Sequence, residues 1–318
     1  MQITPIVLMN TLLSNVQNQE QQIAQLQEEV STGQSFQVPA DNPSAVTNTM
    51  ALNDTLSSVN AYLNSASSAE SQLNQTNGVL QSIIQLTQGA YALSTEASNS
   101  TLNSADLTAM AETVKSDLAS LGQLLNTQYQ GGYLLGGTNN TQPPLQNVSG
   151  TWEWNPGASG NQGQVVQIGS DQWVTDNITG WELTSTPNGP TSPTQTSPVN
   201  AFLQLYQDLQ GLQTALTPNS SGLPNIAAIQ QSESQLSGDL TTMTTLQSIV
   251  GARLQRVQNA QSALNTLSVN LNQSIAQYSS ANMASVTVQL AQEEQAYQAT
   301  LQSGAQILPL SLLNFIKP

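Results

Sequence analysis

Between Leu246 and Tyr278, apolar residues recur every seven positions: Val250, Val257, Leu264, Leu271 and Tyr278. Leu254, Ala260, Leu267 and Ile275 fall between them on the same face, and no proline interrupts the run. Gln, Asn and Ser fill most of the remaining positions. The spacing predicts a long helix with a narrow apolar seam, of the kind that packs on another long helix. At about 1.5 Å per residue this is a rod of about 50 Å. Residues 6–31 carry a matching pattern, with Met9, Val16, Ile23 and Val30 in one row and Leu12 and Leu26 in a second. Gln19 interrupts that seam, so the helix is expected to be weak when it stands alone.

Punctuation between the periodic runs places the other elements. Thr32-Gly33 is a helix stop. Gln34 to Asn42 is a connector, and Asn42-Pro43-Ser44 opens the next helix with Asn as cap and Pro in the first turn. Leu52, Val59, Ala66, Leu73 and Leu80 then hold a strict seven-residue row, and that helix is expected to reach about Ala97. A further helix is expected to be capped by Ser104 and ended by Gly131-Gly132, with Leu107, Ala111, Val114, Leu118, Leu121 and Leu125 on its apolar face. The pattern then changes to short alternating runs, Thr151–Trp154, Val165–Ile168 and Gln172–Thr175, separated by turn residues; they read as strands. Helices resume from Val199 to Leu216 and again from Ile226. The seven-residue phase slips at Ser279 to Asn282, and a new row begins at Met283, Leu290 and Tyr297. The tail from Ile307 to Ile316 is strongly apolar, which a soluble monomer does not leave uncovered without a reason.

The expected fold class is mainly α with a small β insertion, built on a long antiparallel helix bundle or coiled coil in which the N- and C-terminal segments pair. The expected domains are a terminal coiled-coil assembly domain (1–42 and 280–318), a helical bundle (43–137 and 199–279) and a small β-rich insertion (138–198).

Composition narrows the function. The 318 residues include 19 acidic and 4 basic side chains, a net charge of −15. Lys115 is the only basic residue before Arg253. A phosphate-binding surface needs clustered Lys or Arg, so nucleic acid is excluded as a partner. No apolar run is long enough to insert in a membrane, and the N-terminus does not read as a secretory signal. With no histidine and no cysteine, the usual zinc sites, thiol or imidazole catalysis and disulfides are all absent. Glu153, Asp171, Asp176 and Glu182 gather in the β-rich stretch, where a carboxylate pair would suit glycoside hydrolysis; they read better as solvated strand and turn residues. Glu28-Glu29 and Glu293-Glu294 point to different sides of their helices and read as solvated charges rather than metal ligands. Trp152, Trp154, Trp173 and Trp181 read as packing residues rather than a sugar platform. No enzyme, cofactor or metal is expected. What stands out is architectural: two end segments, each a poor independent folder, each with one stripe to cover.

Several motifs resemble those of the flagellin family. Thr32-Gly33 followed by Val38-Pro39-Ala40-Asp41-Asn42-Pro43 is similar to the turn after that family's first helix, in the form typical of its hook-associated members. Tyr133-Leu134-Leu135-Gly136-Gly137-Thr138 resembles the entry to the family's β domain, and Asn177 to Glu182 the strand that closes it. Leu290 to Ala305 and Leu310 to Ile316 resemble its C-terminal segment. Gln34 and Ser35 stand where the family usually has basic residues. The resemblance implies a structural adapter of the bacterial flagellum, outside the cell, at the hook–filament junction. It implies self-association into a ring or layer, contact with the first hook-associated protein and with flagellin, and an export chaperone on the C-terminal segment. Val16, Ile23, Leu26 and Val30 at one end, and Leu290, Tyr297, Leu301, Leu312 and Leu313 at the other, are the expected assembly residues. Two other roles fit the sequence: a filament-forming flagellin, and a secreted carbohydrate-binding or carbohydrate-active protein that uses the Trp-rich stretch.

Overall fold

A computed structural model describes residues 5–98, 102–148, 151–154, 163–180, 200–218 and 225–316. The helices are α1 (Pro5–Thr32), α2 (Pro43–Ser98), α3 (Ser104–Leu125), α4 (Ala201–Leu216), α5 (Ile226–Ser279) and α6 (Met283–Ile316). Between α3 and α4 lie β1 (Gln128–Tyr129), β2 (Gly132–Tyr133), β3 (Leu145–Val148), β4 (Thr151–Trp154), β5 (Val165–Gly169) and β6 (Gln172–Thr175). The chain forms two units, residues 59–266 and residues 1–58 with 267–318. Among the described residues, no helix is long and apolar enough to cross a membrane.

The central unit is organised by seven-residue rows. On α2, Val59, Ala66, Leu73 and Leu80 are buried, and the row continues through the buried Thr87 and Ser94. A second row runs through Ala69, Thr76, Ile83, Ala90 and Ala97. On α5 the seam begins earlier than Leu246: Ile229, Leu236, Met243, Val250 and Val257 are all buried. The two helices run antiparallel. Gln258 Nε2 donates to Glu70 Oε1 at 3.1 Å, and Thr95 Oγ1 and Ser98 Oγ donate to the Glu233 carboxylate at 2.9 and 3.1 Å. The buried hydroxyls of the seam do not need a partner across the interface. Thr76 Oγ1 donates to Gln72 O at 2.9 Å, and Thr87 Oγ1 to Ile83 O at 2.8 Å, each on its own helix. Back-bonding of this kind lets a hydroxyl enter a core without an unmet donor.

The caps differ from expectation in two places. Asn103, not Ser104, caps α3: its Oδ1 accepts from Ala105 N and Asp106 N, and Asp106 closes a capping box. The helix ends at Leu125 rather than at the glycines. Asn126 exchanges two 3.0 Å hydrogen bonds with the Leu145 backbone, which ties the end of α3 to β3. The glycines instead form the β1–β2 hairpin, with φ of 51° at Gln130 and 85° at Gly131. Positive φ at both central turn residues is the twist a two-residue hairpin requires.

All three expected alternating runs are strands. β3 pairs antiparallel with β4, and β5 with β6, the latter with an irregularity between Gln167 and Gly169. Their buried side chains, Leu145, Trp154, Ile168 and Val174, join the same apolar cluster as the helices. Trp154 stacks on Phe202 of α4 with ring centroids 5.4 Å apart, and Trp152 meets Tyr206 at 5.2 Å. These two tryptophans are thus packing residues; Trp181 and Glu182 lie outside the described residues. Asn200 holds the start of α4, accepting from Phe202 N and Leu203 N and donating to Thr179 O.

One buried group has no back-bond. Asp239 occupies the α5 seam, 6% exposed, beside the buried Asp208 of α4. Burial and the neighbouring Asp208 carboxylate push its pKa up from 3.8 to about 8, so the proton stays on and is donated to Asp208. Asp208 also accepts from Gln204 Nε2 at 2.9 Å.

Two predictions follow from this core. Phe202→Ala should lower unfolding free energy by about 3–5 kcal/mol in urea titrations, since Phe202 is fully buried. Asp239 holds a proton in the folded chain that the unfolded chain has released. Its contribution is therefore intact below the unfolded value of 3.8 and declines as pH rises to about 8. Asp176, raised to about 6, adds to the lower part of that decline. Asp239→Asn should abolish the fall in melting temperature between pH 6 and 8 and leave only the smaller share due to Asp176 between pH 4 and 6.

Candidate assembly surface

The second unit is built from the two ends of the chain. Gly33, with φ of 70°, ends α1 by donating its N–H to Glu29 O at 2.8 Å. The connector then folds on Asp41, whose Oδ2 accepts from Gln37 N and Val38 N at 3.0 Å each. Those two bonds hold the Asp41 carboxyl below its ordinary value. Asn42 Oδ1 accepts from Ala45 N at 3.0 Å and opens α2. The motif Val38 to Pro43 is therefore a self-bonded turn followed by a cap.

The phase slip at Ser279 to Asn282 is a physical break between α5 and α6, and it lies against the α1 stop. Ser35 N donates to Ser279 O at 2.8 Å and Ala281 N to Gly33 O at 2.9 Å, around an antiparallel bridge of Gln34 with Ser280. From this joint α1 and α6 run antiparallel. Tyr297 Oη donates to Glu20 Oε1 at 2.7 Å, which pushes the Tyr297 hydroxyl pKa up. Farther along, Gly304 is buried where an added Cβ would stand 2.6 Å from Leu12 Cδ2.

The two arms cover each other only in part. Val16, Ile23, Leu26 and Val30 are half-buried, as are Leu290 and Tyr297, while Leu301 is 46% exposed. The side chains of Leu312 and Leu313 lie outside those described. Gln19 Oε1 is buried with no hydrogen-bond partner. Every exposed large apolar side chain among the described residues belongs to this unit. Met9 and Leu13 project from α1, Met50 from α2, Val269 from α5, and Met283 and Val288 from α6. Sequence reasoning missed most of these, because they lie off the seven-residue seam; the surplus of apolar residues on two faces of α1 and α6 was the available signal. The central unit shows no comparable exposure among its described residues.

Residues 4–140 match the family model described as the bacterial flagellin N-terminal helical region. The fold is of the flagellar hook-associated type. A structure assigned as a flagellar hook-associated protein from Vibrio parahaemolyticus superposes with a TM-score of 0.62, at 18% identity, over 76% of this chain and 100% of that one. Flagellar hook-associated protein-3 from Legionella pneumophila gives 0.59 at 16% identity, over 72% and 98%. Xanthomonas campestris FlgL gives 0.58 at 16%, over 71% and 99%. No curated protein matches the sequence. Within the flagellin-type fold, the half-covered arms are the feature that calls for a partner.

Gly304→Val should force α6 away from Leu12. The expected result is faster amide hydrogen exchange across residues 8–24 and 292–305, with exchange in the α2–α5 seam of the central unit unchanged.

Proposed function

We propose that the chain is a non-enzymatic structural adapter of the bacterial flagellum. It acts outside the cell at the hook–filament junction, where copies associate into a ring or layer between the first hook-associated protein and flagellin. The observation that carries this reading is the segregation of exposed apolar side chains. Met9, Leu13, Val269, Met283, Val288 and Leu301 are all more than two-fifths exposed and all belong to the unit made by the chain ends. The flagellin-type fold supplies the context, and the similar structures include a flagellar junction protein from Legionella pneumophila, which favours the junction over the filament.

Residues 1–42 and 280–318 form the assembly domain in this reading. Val16, Ile23, Leu26, Val30, Leu290, Tyr297, Leu301, Leu312 and Leu313 make its contacts. Burying a half-covered Leu or Val against a neighbour is worth roughly 1 kcal/mol, about half the value of full burial. A dozen such contacts outweigh the cost of ordering two arms only when neighbours are present, so ordering and association are coupled. An export chaperone would cover the apolar C-terminal segment before the chain leaves the cell.

Fluorescently labelled protein on intact flagella should mark a single spot at the filament base; labelling along the filament would instead indicate a filament subunit. The double substitution Leu312→Asp, Leu313→Asp should leave the melting of the central unit unchanged. It should also cause cells to shed flagellin monomers, measured by filament counts and by flagellin in the medium. Normal filaments on cells carrying only this variant would overturn the assignment of the tail to assembly.

A further inference from the structure

A second feature belongs wholly to the central unit. A cavity of about 290 Å³ lies between α2 and the strands, lined by Ser65, Ser68 and Gln72 on one side, by Tyr129 and Tyr133 of the first hairpin, and by Asp176. The volume is at the lower end of the ~300–1,000 Å³ range of small-molecule sites. Asp176 is 4% exposed, and its Oδ1 is buried with no hydrogen-bond partner. Its own N–H is spent on Gln164 O at 3.0 Å. A buried carboxylate oxygen without a donor is costly, and turning it toward a ligand hydroxyl in the cavity relieves that cost.

The walls select the ligand. Lys, Arg and His are absent from the lining, so nothing there neutralises an anion. Asp176 is the only carboxylate of the lining, and no group of three acidic side chains suited to a metal occurs among the described residues. A divalent cation takes several oxygen ligands, commonly more than one of them charged. Arg253 also acts on Asp176 and Arg253 Nη1 donates to Asn177 O at 2.6 Å, so a cation near Asp176 meets a like charge. What remains is a neutral molecule rich in hydroxyl donors, with an apolar face for the tyrosine rings and acceptors or donors for the amides of Gln72, Asn140 and Gln164.

We propose that this cavity binds a single neutral sugar ring, with Asp176 accepting from its hydroxyls and Tyr129 and Tyr133 flanking it. The site uses none of the tryptophans, and it is independent of whether the chain assembles at the junction.

The test is saturation-transfer NMR on the purified full-length chain with the methyl glycosides of glucose, galactose, mannose and N-acetylglucosamine, followed by titration. At least one should bind. Asp176→Asn, which keeps the shape of the side chain, and Gln72→Ala, on the half-buried face of α2, should each weaken binding about tenfold, the effect of losing one hydrogen bond to a charged or amide group. Melting temperature and helical content should hold in Gln72→Ala even if the buried substitution perturbs folding. Absence of transfer to every glycoside overturns the proposal, as does binding that survives both substitutions. Calcium chloride is the contrasting probe: calcium binding lost in Asp176→Asn, with no sugar bound, would make the cavity a cation site and overturn the sugar assignment.

Discussion

A helix with one narrow apolar stripe is stable only when that stripe is covered, and coverage needs more than one neighbour. In the central unit the condition is met. The seams of α2 and α5 are closed on several sides, by each other, by α3 and α4, and by side chains from the strands. The result is a continuous core in which even Thr87 and Ser94 are fully enclosed. In the unit made by the chain ends the condition is not met. α1 and α6 have each other, so their stripes remain half in water. The whole division of labour in the molecule follows from this difference in the number of neighbours.

Polar seam residues are handled in more than one way. Hydroxyls on α2 bond to the carbonyl a turn earlier and cost little. Asp239 cannot do so, and the core accommodates it by keeping it neutral beside Asp208. At the chain ends, Gln19 has a buried amide oxygen with no partner.

Much of the fold was legible in the sequence. Seven-residue rows located α1, α2, α5 and α6, and alternation located β4, β5 and β6, because each periodicity reports a single buried face. Proline and glycine set the joints at Gly33 and Pro43 correctly. They misled at Gly131, where the requirement was for positive φ in a hairpin rather than for a helix stop. β1 and β2 were missed since two-residue strands are too short to show alternation, and β3 since Leu145-Gln146-Asn147-Val148 does not alternate. Trp152 and Trp154 were legible as packing residues from chemistry alone. The candidate assembly residues were read from the seam and are half-covered where described. The exposed set of Met50, Val269 and Val288 was not, because a sequence pattern shows which residues share a face but not which faces go unpaired.

The joint between Gly33–Ser35 and Tyr278–Ala281 is the common origin from which both arms are measured, 28 residues of α1 on one side and 34 of α6 on the other. Leu12 meets Gly304 and Glu20 meets Tyr297 only because both are counted from that point. A heptad inserted into one arm would leave its added turns beside nothing, and a single-residue insertion would rotate one stripe out of register with the other. Natural variation in this fold should therefore be coupled in length across the 250 residues between Thr32 and Met283: the two termini must grow or shrink together, as matched halves of one ruler.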